Sequence, residues 1–169
     1  TPDSNLIRLT EVLKTETSTT GKLAMQDIVE NRRIASERQV PMCQDTGMVI
    51  VFADIGEEVQ FLNGNLRDAI TSGVQKGYQE GYLRKSIVVE PLFERKNTNN
   101  NTPVVIHFDL VPGNKLRLTI AAKGFGAENM SWVKVLAPAE GINGVKREVV
   151  RAVEEAGPNA CPPVVVGVG

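Results

Sequence analysis

MVIVFADI, residues 48–55, is the apolar stretch from which the fold of this chain can be worked out. Apart from Asp54, all of its residues are apolar, and several are β-branched. Such residues favour an extended strand shielded from water. We therefore predict a buried strand here, entered through a loop at CQDTG (43–47).

Two amphipathic helices are predicted before this strand. They cover LIRLTEVLK (6–14) and GKLAMQDIVENRRIASERQ (21–39), and Thr20 in TSTTG is a candidate N-cap for the second. Pro41 then prevents further helix. The segment between Pro41 and the strand is consequently a loop.

A third helix is predicted within residues 63–84. Large apolar side chains recur every four positions, and a neighbouring stripe is nearly bare, so another element could approach the backbone there. The large residues are Leu66, Ile70, Val74, Tyr78 and Tyr82, and the small ones are Ala69, Gly73, Gly77 and Gly81.

The second half of the chain reads as strands with one more helix. PVVIHFDLV (103–111) and KLRLTIAAK (115–123) flank PGN, which predicts an antiparallel hairpin with Leu116, Leu118 and Ile120 on a packed face. A Gly-rich loop (123–131), a strand (132–137), a helix ending near Gly157, a loop (158–163) and a last strand (164–169) follow. The prediction is an α+β (mixed α/β) fold with a partly antiparallel sheet packed with helices, forming a single domain over 1–169.

Composition argues against several classes of protein. The formal net charge is −1, and basic residues are scattered among acidic ones, so there is no electrostatic footprint for nucleic acid or an anionic membrane. Apolar runs fall below the roughly 18 residues of a spanning helix, and the N-terminus does not resemble a signal peptide. We expect a cytoplasmic protein and, from its start at Thr1 and its end at VVVGVG, a fragment of a longer chain.

The two cysteines, Cys43 and Cys161, lie 161 − 43 = 118 positions apart, each in a loop beside prolines. One disulfide, inert thiols and metal ligation all remain open, although the separation matches no short zinc or ferredoxin motif. The sole histidine, His107, lies among apolar residues and is more readily structural than a base. Arg84 suits either a carboxylate or a helix C-terminus.

Five segments taken together resemble the class I, iron–sulfur fumarases and the related L-tartrate dehydratases, in their N-terminal domain or alpha subunit. They occur in the family's order and cover most of the chain: CQDTG (43–47), RKSIV (84–88), NTNNNTPVVIHFDLVPG (97–113), KGFGAENMS (123–131) and CPPVVVGVG (161–169).

The resemblance implies a [4Fe-4S] cluster held by three cysteines, of which Cys43 and Cys161 would be two. It further implies that the open iron binds a C4 dicarboxylate and that Asp45 transfers a proton. Gln44, Arg84 and Gly126 would bind substrate. The implied reaction is reversible hydration of fumarate to malate, with L-tartrate or mesaconate as alternative substrates.

The resemblance also implies groups outside this chain. The third cysteine, a catalytic histidine and further substrate residues would come from a beta subunit or C-terminal domain, in an oligomer. A cluster-free assembly module is the competing hypothesis. Nucleotide binding through KGFGAEN is a third hypothesis with little support, because this loop lacks the third glycine of the dinucleotide fingerprint.

Overall fold

The computed structural model describes residues 3–162 and 164–169, with side chains from residue 7 onward. Its helices and strands occur in the order α1 (Asp3–Thr15), α2 (Thr19–Arg38), β1 (Met48–Gly56), α3 (Leu66–Glu80), β2 (Val105–Val111), β3 (Leu116–Lys123), α4 (Phe125–Glu128) and α5 (Gly141–Ala156). Two 3₁₀ turns lie at Pro138–Glu140 and Gly157–Ala160. The predicted α+β class is confirmed. The chain divides into a first unit, residues 1–44, and a second unit, residues 45–169, which are described separately.

The first unit consists of α1, α2 and the loop that follows them. α2 begins at Thr19 because Ser18 Oγ accepts a hydrogen bond from the backbone N–H of Gly21 at 3.2 Å. Ser18 is thus the N-cap, and the prediction of Thr20 was wrong by two positions. After α2, Asn31 Nδ2 donates to the carbonyl of Met42 at 2.8 Å, which ties the loop before Cys43 to the helix.

The second unit is built on a three-stranded sheet in the order β2–β1–β3, in which β1 runs parallel to β2 and antiparallel to β3. The predicted hairpin between residues 103–111 and 115–123 is therefore wrong, since β1 lies between its two strands. Residues 112–115 instead pass the end of β1, where Gly56 N–H donates to the carbonyl of Lys115 at 2.9 Å. The strand predicted at 48–55 is confirmed and is central.

The core lies between this sheet and α3. Val49 and Val51 of β1 pack with Ile70 and Tyr78 of α3 and with Val104, so the apolar stripe of α3 faces the sheet. Alternate residues of β1 are buried, while Phe52 between them is exposed.

The apolar side chains of β3 are more exposed to solvent than predicted. Leu116, Leu118 and Ile120 are 39%, 41% and 65% exposed, so the prediction of a packed face on this strand was wrong. α3 packs over β1 and the β2 side, and the apolar side chains of β3 lie beyond that contact.

Three other predictions differ from the structure. Segments 132–137 and 164–169 form no strand, because neither has a hydrogen-bonded neighbouring strand in the part of the chain that the structure describes. Between α3 and β2 the backbone makes an isolated β-bridge between Val88 and Asn97. α3 ends at Glu80, which leaves Tyr82 94% exposed. Pro163, in the predicted loop 158–163, lies outside the described residues.

The last helix, α5, ends at Ala156, and Gly157 with φ +47° follows it, as predicted. None of the helices in residues 3–162 and 164–169 is both long and apolar enough to cross a membrane.

Candidate active site

Three of the predicted site residues, Asp45, Gly126 and Cys161, lie together in the second unit. The N–H of Gly126 donates to Asp45 Oδ2 at 3.2 Å. A Cβ placed on Gly126 would lie 3.4 Å from Cys161 Sγ and 3.7 Å from Asp45 Oδ2. The missing side chain of Gly126 therefore leaves a small open space that the thiol and the carboxylate both border.

Local structure explains this meeting of residues distant in sequence. Gly126 lies in the short helix α4, which packs against the 3₁₀ turn Gly157–Ala160 immediately before Cys161. Gly124, just before α4, leaves room for the carboxylate, since a Cβ there would come within 2.8 Å of Asp45 Oδ2. Glycines at 124 and 126 thus let the backbone of the KGFG segment lie directly against Asp45.

Gly47 closes the CQDTG loop in a conformation that other residues rarely adopt. Its φ is +51°, and a Cβ there would lie 1.7 Å from the carbonyl oxygen of Lys123. Only glycine fits both the dihedral angle and the contact. Gly47 therefore lets the chain pass the end of β3 and enter β1 directly after Asp45 and Thr46.

Cys161 follows the 3₁₀ turn with a left-handed backbone, φ +55°. Its N–H donates to the carbonyl of Pro158 at 3.1 Å, and its side chain is exposed and outside any disulfide. A thiol in this position is accessible to an incoming metal centre.

Arg84 is anchored to the same loop through its backbone. Thr46 Oγ1 donates to the carbonyl of Arg84 at 2.8 Å, so residue 84 is held beside the residue that follows Asp45. The side chain of Arg84 is exposed to solvent. The second unit thus links Asp45, Gly126 and Cys161 by direct proximity and Arg84 by one backbone contact.

Cys43 and Gln44 belong to the first unit. The Cys43 thiol donates to Gln44 Oε1 at 3.4 Å, and the cysteine side chain is exposed and outside any disulfide. These two residues immediately precede Asp45 in the chain.

A buried polar network beside the loop was not predicted from the sequence. Asn101 is fully buried and Thr46 nearly so, and Tyr78 OH donates to the carbonyl of Thr46 at 2.6 Å. Burial raises the pKa of Tyr78 above its ordinary value, although hydrogen bonding by the side chains of Thr46 and Asn101 opposes the shift. The predicted stripe of α3 identified Tyr78 as apolar packing, while nothing distinguished Asn101 from the other asparagines of NTNNNTP.

Two alternatives from the sequence concern His107, as a possible base, and the KGFG loop, as a possible nucleotide site. The His107 ring stacks on Phe52 with centroids 5.1 Å apart, on the exposed surface of the sheet. The glycines of KGFG border the carboxylate of Asp45, where a phosphate would meet negative charge. The position of these glycines argues against a nucleotide site in this loop.

Within the described ranges, no three His, Cys, Asp or Glu side chains are grouped closely enough to hold a metal ion. The chain contains two cysteines in total, fewer than the three thiolates of the implied cluster. Cys43 and Cys161 are both exposed and outside any disulfide, and exposed thiols are suitable ligands for iron. The residues present therefore fit part of an iron–sulfur site.

Comparison with known proteins identifies the family. The family model described as Fumarate hydratase (Fumerase) matches residues 1–169, the whole chain. The chain belongs to the fumarate hydratase (Fumerase) family. The family resemblance read from the five sequence segments is thereby confirmed.

Several proteins similar to this chain are named as alpha subunits of L(+)-tartrate dehydratase. A protein of Methanocaldococcus jannaschii named "Putative L(+)-tartrate dehydratase subunit alpha" is 40% identical over 166 residues, covering 95% of this chain and 58% of the relative. L(+)-tartrate dehydratase subunit alpha proteins of Escherichia coli strains UTI89 and K12 are 32% and 31% identical over 172 residues, covering 99% of this chain and 56% of each relative. The chain thus spans somewhat more than half the length of these relatives.

Proposed function

We propose that this chain is a component of a hydro-lyase that adds water to, or removes it from, a C4 dicarboxylate. The observation that carries the proposal is the meeting of the Asp45 carboxylate and the Cys161 thiol at the open space beside Gly126. A metal ligand and a proton-transfer group at one accessible point are what metal-assisted hydration requires. Membership of the fumarate hydratase family supports the same reaction class.

The implied cofactor is a [4Fe-4S] cluster, which supplies a Lewis-acidic iron that polarises substrate oxygens when it is bound. Cys43 and Cys161 are the residues of this chain that would hold it. The third thiolate would come from elsewhere in the complete protein. The word "subunit alpha" in the relatives' names supports a partner beta subunit as one source.

The other residues of the chain would act on the substrate itself. In hydration of fumarate, hydroxide adds to one alkene carbon and a proton to the other, and malate dehydration reverses both steps. Asp45 would carry the proton to or from carbon, with Gly126 N–H holding Oδ2 in place. Arg84 would bind one substrate carboxylate, for which a guanidinium is well suited, and Gln44 would donate a hydrogen bond.

Two substrates have specific support. The family description supports fumarate, and the names of relatives that match nearly the whole chain support L(+)-tartrate. Mesaconate differs from fumarate by one methyl group and is the third candidate. Initial rates with all three, measured on the complete protein with any partner subunit, would rank them by kcat/KM.

Replacement of the proposed proton-transfer group tests the function directly. In the complete anaerobic protein, we expect Asp45→Asn to lower kcat on the order of 10²- to 10⁴-fold, the usual contribution of a general acid–base group. Iron and sulfide content should stay at the parent level. Arg84→Ala should instead raise KM, because it removes a ligand of the substrate carboxylate.

Asp27→Asn is the matched control for this experiment. Asp27 is an exposed carboxylate on α2, and its amide variant should retain parent kinetics. Parent-like kinetics of the Asp45 variant would refute the proposed role of that residue. A complete protein that holds no iron after reconstitution, hydrates neither fumarate nor mesaconate and does not dehydrate L-tartrate would instead favour the cluster-free assembly module.

A further inference from the structure

Asn101 is the most completely buried polar side chain in the described part of the chain, with no exposed surface. Both the oxygen and the nitrogen of its side-chain amide form hydrogen bonds. Oδ1 accepts from the backbone N–H groups of Ser86 and Ile87 at 2.8 and 3.2 Å, and Nδ2 donates to the carbonyl of Gly47 at 2.9 Å. A residue from the NTNNNTP run therefore bridges two other segments of the second unit.

The bridged segments are those that carry the proposed substrate groups. Gly47 lies two residues after Asp45, and Ser86 lies two residues after Arg84. A second bond joins the same segments, from Thr46 Oγ1 to the carbonyl of Arg84 at 2.8 Å. The Asn101 amide and the Thr46 hydroxyl together fix how far the backbone at Asp45 lies from the backbone at Arg84.

Tyr78 holds the loop side of this bridge from α3. Its hydroxyl donates to the carbonyl of Thr46 at 2.6 Å and approaches that of Gly47 at 3.5 Å. The loop is thus bound at two successive carbonyls, one by Tyr78 and one by Asn101. Because α3 packs on the sheet, the bond from Tyr78 fixes the position of the loop relative to the core of the second unit.

Asparagine is the side chain that these contacts require. It offers one acceptor for two N–H groups and one donor for a carbonyl, all without charge. Aspartate keeps the acceptors but places a second oxygen against the Gly47 carbonyl, and an apolar residue leaves buried polar groups unpaired.

We propose that Asn101 is a positioning residue of the active site, which sets the separation between the proton-transfer group Asp45 and the carboxylate ligand Arg84. This role rests on the proposed function. A dicarboxylate bound through one end at Arg84 presents its reacting carbon to Asp45 only if the two segments keep their spacing. Misplacement by about 1 Å can lower a rate on the order of 10²-fold.

The test is Asn101→Asp in the complete anaerobic protein, with Asn99→Asp as the matched control. Asn99 lies in the same run, is exposed and also has a positive φ, so its variant adds the same charge without touching the bridge. For Asn101→Asp we expect kcat to fall on the order of 10²-fold, while Kd for succinate, an unreactive C4 dicarboxylate, changes by about threefold or less. Iron content should match the parent, and Asn99→Asp should keep parent kinetics.

If Asn101 has a purely structural role, the result is different. The activity of Asn101→Asp would then fall in proportion to the fraction of protein that is folded and iron-loaded, and kcat per iron-loaded site would not change. That result overturns the proposal. If Asn101→Asp does not fold, Thr46→Val decides, because it removes the second bond to Arg84 and keeps the side-chain shape. A lowered kcat with intact succinate binding in Thr46→Val supports the bridge, and parent kinetics refute it.

Failure of this inference can be told apart from failure of the proposed function. An active parent that loses activity in Asp45→Asn and keeps it in Asn101→Asp overturns only the role of Asn101. A parent with no hydro-lyase activity, or an Asp45→Asn variant with parent kinetics, overturns the proposed site and the positioning role with it.

Discussion

Tyr78 combines a buried ring with a hydroxyl that bonds the loop beside the candidate site. Only 3% of the residue is exposed, and its hydroxyl donates to the carbonyl of Thr46. Burial opposes the phenolate, so the pKa of Tyr78 in the folded protein lies above the ordinary value near 10. The neutral hydroxyl is therefore the form that stabilises the fold.

This raised pKa predicts a specific dependence of stability on pH. The folded state retains the Tyr78 proton more tightly than the unfolded state, so the contribution is complete below about pH 10 and is lost as pH rises through the raised value. We expect the difference in melting temperature between the parent and Tyr78→Phe to be constant from neutral pH to about pH 10 and to narrow above it. Thermal unfolding across an alkaline pH series checks this, and curves that stay parallel would contradict it.

Residues of the candidate site were predictable to different degrees. Asp45, Gly126 and Cys161 were named from the family resemblance, and the structure brings them together, while their roles stay predictions. Asn101 was not predictable, since its neighbours are also asparagines and only tertiary packing makes one of them buried. Thr46 was visible as a hydroxyl in CQDTG, but its bond to Arg84 spans 38 positions.

Among the elements, β1 determines how the second unit is organised. Val51 has no exposed surface, whereas Ile120, its partner in β3, is 65% exposed although the two occupy the same register position. Val51 and Ile120 are therefore a matched pair in one sheet: both are β-branched aliphatic residues, but the first is buried and the second is exposed.

Truncation of each residue should show this difference. We expect Val51→Ala to lower the free energy of unfolding by about 1–3 kcal/mol, because it loses buried methyl groups and leaves a cavity. Ile120→Ala should change it by less than about 1 kcal/mol, because most of its surface is already in water. Urea denaturation of the chain measures both, and equal losses would show that β3 is covered in solution.

Element types were easier to predict than their pairing. The apolar stripe of α3 and the apolar run of β1 are local signals, and both were read correctly except that the stripe ends at Tyr78 and does not include Tyr82. The two strands flanking PGN were also located, but their direct pairing was wrong because the sequence near the turn carries no sign that a distant strand lies between them. Segments 132–137 and 164–169 have the composition of strands and lack a partner within the described residues.

At the scale of the whole molecule, the cysteine count limits what this chain can do alone. Two thiols cannot supply the three ligands of the proposed cluster, and the chain spans somewhat more than half the length of the relatives named above. We expect the isolated 169-residue chain to have no hydro-lyase activity and to retain less iron and sulfide than the complete protein after identical anaerobic reconstitution. Visible absorption, iron analysis and a hydration assay on both samples test this, and full activity in the isolated chain would contradict it.

The central place of β1 has a consequence for how the protein is made. Ile50 pairs with Val105, 105 − 50 = 55 residues later, and Val51 pairs with Ile120, 120 − 51 = 69 residues later. At a synthesis rate of about 5–20 residues per second, the first partner is completed roughly 3–11 s after β1. During that interval both edges of an apolar strand lack their final neighbours, so the nascent chain passes through a stage at which chaperone protection of β1 would matter most.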